Sequence, residues 1–171
     1  LRMSLHAAVA PDYADETGSD ILSGYLETLA LVERLHRLLL DVIKDEFERI
    51  GRFEISPVQA LLLFNIGTKT MTAGELRNRG YYQGSNVSYN LKKLVEAGFI
   101  HHQRSDVDRR AVRVRLTEAG LEVHAIVADL FRRHAEDLST DQWLKGRGIE
   151  GMNADLRLVE RYWTEEIRYL Y

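Results

Sequence analysis

Gly84-Ser85-Asn86-Val87-Ser88-Tyr89-Asn90-Leu91-Lys92-Lys93-Leu94-Val95-Glu96-Ala97-Gly98-Phe99-Ile100 is the stretch whose reading decides the fold. Val87, Leu91 and Leu94 recur at helical spacing, so a helix over about Ser85–Ala97 turns them toward a core. Ser85, Tyr89, Lys92 and Lys93 then fall on the opposite face, with Asn86 and Ser88 at its flanks. Short hydrogen-bonding groups come first and lysines follow. A helix in a major groove uses its side chains in that order, first turns on base edges and cations on phosphates. The same pattern also suits a plain solvated helix face, so the neighbouring sequence has to discriminate. Gly98 ends the helix.

Downstream, Phe99–Arg104 and Ala111–Leu116 read as two short strands. Val112, Val114 and Leu116 alternate with Arg113 and Arg115, the pattern of a half-buried strand. Between them, residues 105–110 (Ser-Asp-Val-Asp-Arg-Arg) form a charged hairpin tip. A charged tip can be simply solvated. An arginine-bearing wing, however, suits the minor groove, where A·T-rich DNA concentrates negative potential. Arg104, Arg109 and Arg110 are the cations for that role, and Asp108 is placed to orient a guanidinium. Upstream, Ser56-Pro57-Val58-Gln59 and Thr72-Ala73-Gly74-Glu75 are two capping boxes. The first opens an apolar helix through Ala60–Phe64, ending near Gly67. The second opens a short helix to Arg79, stopped by Gly80 and followed by the turn Tyr81–Gly84. The order is that of a winged helix-turn-helix: mainly α with a small β-hairpin.

Charge is partitioned accordingly. Between Arg77 and Arg115 there are nine Lys or Arg against three Asp or Glu, a net of +6. The whole chain carries −3, which leaves −9 for the remainder. A basic module within an acidic scaffold is the electrostatic footprint of a DNA reader. His101 and His102 add to it when protonated.

Working outward, residues 1–18 lack a period and are expected to form a flexible arm. Residues 19–50 read as one long helix, with Leu22, Tyr25, Leu29, Val32, His36, Leu39, Ile43, Phe47 and Ile50 in one apolar stripe. Leu26, Leu35, Leu38 and Leu40 widen it, which implies two partners, its own domain and a second subunit. Residues 51–121 form the winged module. Residues 122–171 supply further helices: one from Thr117 to about Leu138, and one from about Met152 carrying Leu156, Val159, Trp163, Ile167 and Leu170 on one face.

The chain has no cysteine, which excludes disulfides, thiolate metal sites and cysteine nucleophiles. No apolar run approaches a membrane span or a signal sequence, so a cytoplasmic protein is expected. An enzyme is not expected either, nor a cofactor or metal. His101 and His102 are adjacent on a strand and point to opposite faces, and His124 and His134 lack the spacing of a helical zinc pair. His36 on the apolar stripe reads first as a buried, satisfied histidine.

Residues 84–100, together with Arg104–Arg110 and Leu116-Thr117-Glu118-Ala119-Gly120, resemble the recognition helix, wing and following helix of the multiple-antibiotic-resistance regulator (MarR) family. The family's Asp-x-Arg wing pattern maps onto Asp108 and Arg110. The resemblance implies a homodimer on a pseudo-palindromic operator, held by N- and C-terminal dimerisation helices, with Leu22, Leu29, Tyr162, Trp163 and Ile167 in the interface. It also implies a ligand-responsive repressor released by a small aromatic or phenolic effector, for which His36, Leu61 and Phe64 are positioned. The turn 80–84 and Asn90 depart from the common pattern. They are similar to alphaproteobacterial regulators linked to L,D-transpeptidase genes. The competing reading is a winged-helix protein-interaction module without sequence-specific DNA binding.

Overall fold

The computed structural model describes residues 13–78, 84–104, 112–140 and 148–168. The chain divides into two compact units, residues 1–57 and 58–171.

The first unit is one long helix and the segment after it. α1 spans Tyr13–Arg49, so it begins inside the stretch expected as an arm; residues 1–12 of that arm lie outside the described residues. The mix of Ala, Asp, Pro and Gly without a period, Gly18 included, hid this start, because glycine disfavours helix interiors. Within α1, Ile43 and Phe47 are buried, and so is Glu46. The Arg49 guanidinium holds the Glu46 carboxylate as a fork, Nε to Oε2 at 3.0 Å and a terminal nitrogen to Oε1 at 2.7 Å. The N-terminal two-thirds of α1 is different. Ile21, Leu22, Leu26, Leu31, Leu35 and Leu38 are all exposed. His36 is exposed too, which corrects its expected burial, while Leu29, Val32, Leu39 and Leu40 of the same helix are half-buried.

The second unit contains the winged module. α2 (Pro57–Ile66) buries Ala60, Leu61, Leu62, Leu63 and Ile66, so it is enclosed on most sides. β1 (Met71–Thr72) and α3 (Ala73–Asn78) follow. The Thr72 box forms as read: the Thr72 amide donates to Glu75 Oε2 (2.7 Å) and the Glu75 amide to Thr72 Oγ1 (3.1 Å). α4 (Gly84–Glu96) comes next, then β2 (Ile100–Arg104) and β3 (Val112–Leu116). The sheet order is β1-β3-β2, all antiparallel. β1 was not expected, since two residues are too few to show alternation; it exists because Met71 pairs with Val114 and Thr72 with Arg113. The core gathers Met71, Leu76, Val87, Leu91, Leu94, Ile100, Val114 and Leu116 with Val123, Val127 and Leu130 of α5 (Glu118–Thr140). α6 (Gly148–Arg168) starts four residues before the expected Met152.

Thr117 joins the recognition-type helix, the wing and α5. Its hydroxyl donates to the Gly98 carbonyl (2.7 Å) and accepts the Gly120 amide (3.2 Å), while its own amide donates to the Phe99 carbonyl (3.0 Å). It is therefore the N-cap of α5 and a clamp on the end of α4. Thr117→Val keeps the shape but leaves one donor and one acceptor without their partner. We expect a loss of about 1–2 kcal/mol, read as a lower urea midpoint with an unchanged slope.

Candidate nucleic-acid interface

α4 carries the site, and its two faces follow from its sequence. Val87 and Leu94 are each 1% exposed and Leu91 is 7% exposed, which anchors one side. Asn86, Ser88, Tyr89, Lys92 and Lys93 are exposed on the other. Ser85 lies in the first turn of α4, as expected. The Asn90 amide donates to the Asn86 carbonyl at 2.9 Å, so this atypical residue is occupied by its own helix. At the far end the Phe99 amide bonds the Leu94 carbonyl (2.9 Å) and the Gly98 amide the Val95 carbonyl (3.1 Å). That termination needs a left-handed residue, and Gly98 sits at φ +84°.

The two lysines differ. Lys93 is 3.7 Å from Glu96 and lies over the Tyr89 ring, 5.8 Å from its centroid. Both contacts are exposed and weak, but they hold the side chain along the helix. Lys92 is exposed and has no ion pair among the described residues, so its ammonium is the freer of the two.

The wing stands beside α4, which packs against β2. Arg104 pairs across the hairpin with Val112 and is exposed. Asp108, Arg109 and Arg110 lie outside the described residues. His101 and His102 are both exposed, and no group of side chains suited to a metal ion occurs among the described residues. Among those residues no helix is long and apolar enough to cross a membrane.

The expected effector residues are distributed between the units. His36 is exposed on α1, whereas Leu61 and Phe64 belong to α2 in the second unit. Leu61 is buried. Phe64 stacks on His124 (centroids 5.3 Å, 15°) and meets Phe131 edge-on (5.0 Å, 88°). Sequence reasoning missed the important member of this group. His124 Nδ1 is buried and has no hydrogen-bond partner. Nothing in the local pattern marks it, because its neighbours come from α2.

Of the expected interface residues, Leu22, Tyr162 and Ile167 are 57%, 55% and 59% exposed, and Leu29 and Trp163 are half-buried. With Leu156 and Leu158, they leave α6 as well as α1 carrying uncovered apolar surface.

Residues 55–120 match the model of a winged helix DNA-binding domain. The chain is 33% identical over 155 residues to the exopolysaccharide II synthesis transcriptional activator ExpG of Rhizobium meliloti (strain 1021), spanning 91% of this chain and 79% of that protein. Among solved structures it resembles the transcriptional regulator SlyA (TM-score 0.69, 19% identity, 84% of this chain and 99% of that one). It also resembles the DNA complex of MepR from S. aureus (TM-score 0.65, 18% identity, 78% and 96%). A third likeness is a putative MarR family regulator from Listeria monocytogenes complexed with a 26mer DNA (TM-score 0.68, 15% identity, 83% and 92%). The chain thus belongs to the same family as the Rhizobium meliloti activator and is a winged-helix transcriptional regulator with the MarR-type fold.

Proposed function

We propose that this regulator acts as a homodimer on a pseudo-palindromic operator, with α4 in the major groove and the wing arginines in the minor groove of each half-site. The carrying observation is the outward face of α4: exposed Asn86, Ser88 and Tyr89 precede an unpaired Lys92, on a helix whose other side is anchored by Val87 and Leu94. The dimer reading rests on the apolar residues left exposed on α1 and α6. Asp108, Arg109 and Arg110 keep the wing-tip role that the family resemblance implies.

The test is a mobility shift against DNA upstream of the chain's own gene, at rising salt. Each phosphate contact contributes a slope of about 0.9 in log K against log salt. Lys92→Ala removes one contact per subunit, so the dimer's slope should fall by about 1.8. Lys93→Ala, already engaged by Glu96 and Tyr89, should change it less. Absence of a shift with every promoter fragment would favour the protein-interaction reading instead.

We also infer that a small effector loosens DNA binding at the Phe64–His124–Phe131 group. An unpartnered buried nitrogen costs about 1–3 kcal/mol, which a hydrogen-bonding aromatic ligand would recover. The Rhizobium meliloti relative is a transcriptional activator, which favours positive control over the repression implied by the wider family.

A further inference from the structure

The three-stranded sheet has an inner and an outer face, and the outer one has so far entered only through the net charge of the module. Cross-strand partners share a face, so the pairs His101–Arg115 and Gln103–Arg113 place four side chains on one side of the hairpin. Their sequence neighbours Ile100, Val114 and Leu116 are buried on the other side, where α3, α4 and α5 pack. All four outer residues are exposed. The face therefore points away from α4, and a duplex seated on α4 leaves it open.

The third strand adds Thr72 to this face opposite Arg113, with the Glu75 carboxylate 2.7 Å from the Thr72 amide nitrogen. Neither β2 nor β3 contains Asp or Glu. Some arginines elsewhere are paired, Arg49 with Glu46, Arg52 with Glu54, and Arg132 with both Asp129 and Glu136. Among the described residues Arg113 and Arg115 have no such partner. Two residues apart on one strand face, they stand about 6.7 Å from each other along the chain, and like charges at that spacing repel. Guanidinium groups are the side chains that take carboxylates as two-pronged partners, and His101 and Gln103 add donors between them.

We propose that this outer sheet face docks an acidic protein segment while the regulator sits on DNA. The proposal rests on the DNA-binding reading above for the state in which it operates. Its occupant follows from charge complementarity and from the direction of the face. In an activator it supplies the protein contact that α4 cannot.

The test uses the full chain bound to a saturating operator duplex, which covers α4, and a fluorescein-labelled oligoglutamate peptide as probe. Fluorescence anisotropy should show peptide binding to the complex, weakened about tenfold or more in the double variant Arg113→Ala/Arg115→Ala. Operator affinity of that variant should fall less than in Lys92→Ala, because the outer sheet face points away from α4 and the two arginines contribute only to the long-range field. Unaltered peptide binding would overturn the proposal. So would a drop in operator affinity as large as that of Lys92→Ala with a shallower salt slope, which would assign the two arginines to phosphate. If the parent protein binds no operator, the DNA reading fails first and visibly. The titration on free protein then decides, since the double variant must still lose the peptide where Lys92→Ala does not.

Discussion

Gly120→Ala is expected to destabilise the winged module by about 3 kcal/mol, the upper range for overpacking. Gly120 lies in the first turn of α5, where alanine would ordinarily gain about 1 kcal/mol of helix propensity. Here the methyl has no room. A Cβ at this position would stand 2.2 Å from the Phe99 carbonyl oxygen and 3.2 Å from Leu116 Cβ. The carbonyl is backbone and is pinned by the Thr117 amide at 3.0 Å, so it cannot move without breaking the clamp between α4 and α5. Sterics therefore outweigh propensity. Thermal and urea denaturation of the variant would show it, and a midpoint equal to the parent's would refute the close approach.

The second large effect concerns assembly. Leu31, Leu35 and Leu38 recur at spacings of four and three along α1 and are 43%, 58% and 50% exposed. That spacing suits a seam for another helix, and the proposed dimer would cover this apolar row. Leu35→Glu keeps helix propensity nearly constant but would put an unpaired carboxylate in the interface. Burying such a charge costs about 3–5 kcal/mol, or roughly a hundred- to several-thousandfold in dimer affinity. Sedimentation should report monomers at concentrations where the parent is dimeric, with operator affinity falling alongside. A Leu35→Glu protein that stays dimeric would remove α1 from the interface.

Much of the site was legible before any coordinates. The faces of α4 follow from Val87, Leu91 and Leu94, because side chains four and three apart in a helix share a side whatever surrounds them. The Thr72–Glu75 box was readable for the same reason: both partners lie within one turn. The misreadings have a common cause. His36 lies on an apolar stripe, yet a stripe says only that something covers it, and among the described residues His36 is exposed. The start of α1 was placed late because Gly18 and its aperiodic neighbours weaken the local signal, although a side chain at Gly18 would meet open space.

Local periodicity and capping chemistry in the sequence by themselves determined the helices, the hairpin, the stop at Gly98 and the division of α4 into an anchored and a solvent-facing side. Tertiary structure alone decided that β1 exists, that Gly120 must lack a side chain, that His124 keeps an unsatisfied nitrogen, and that Arg113 and Arg115 share an open face with His101 and Gln103. Each of these depends on a partner from a distant part of the chain: Val114 for Met71, Phe99 for Gly120, Phe64 for His124. Pairing at that range is set by how the elements pack together, and spacing along one segment carries no record of it.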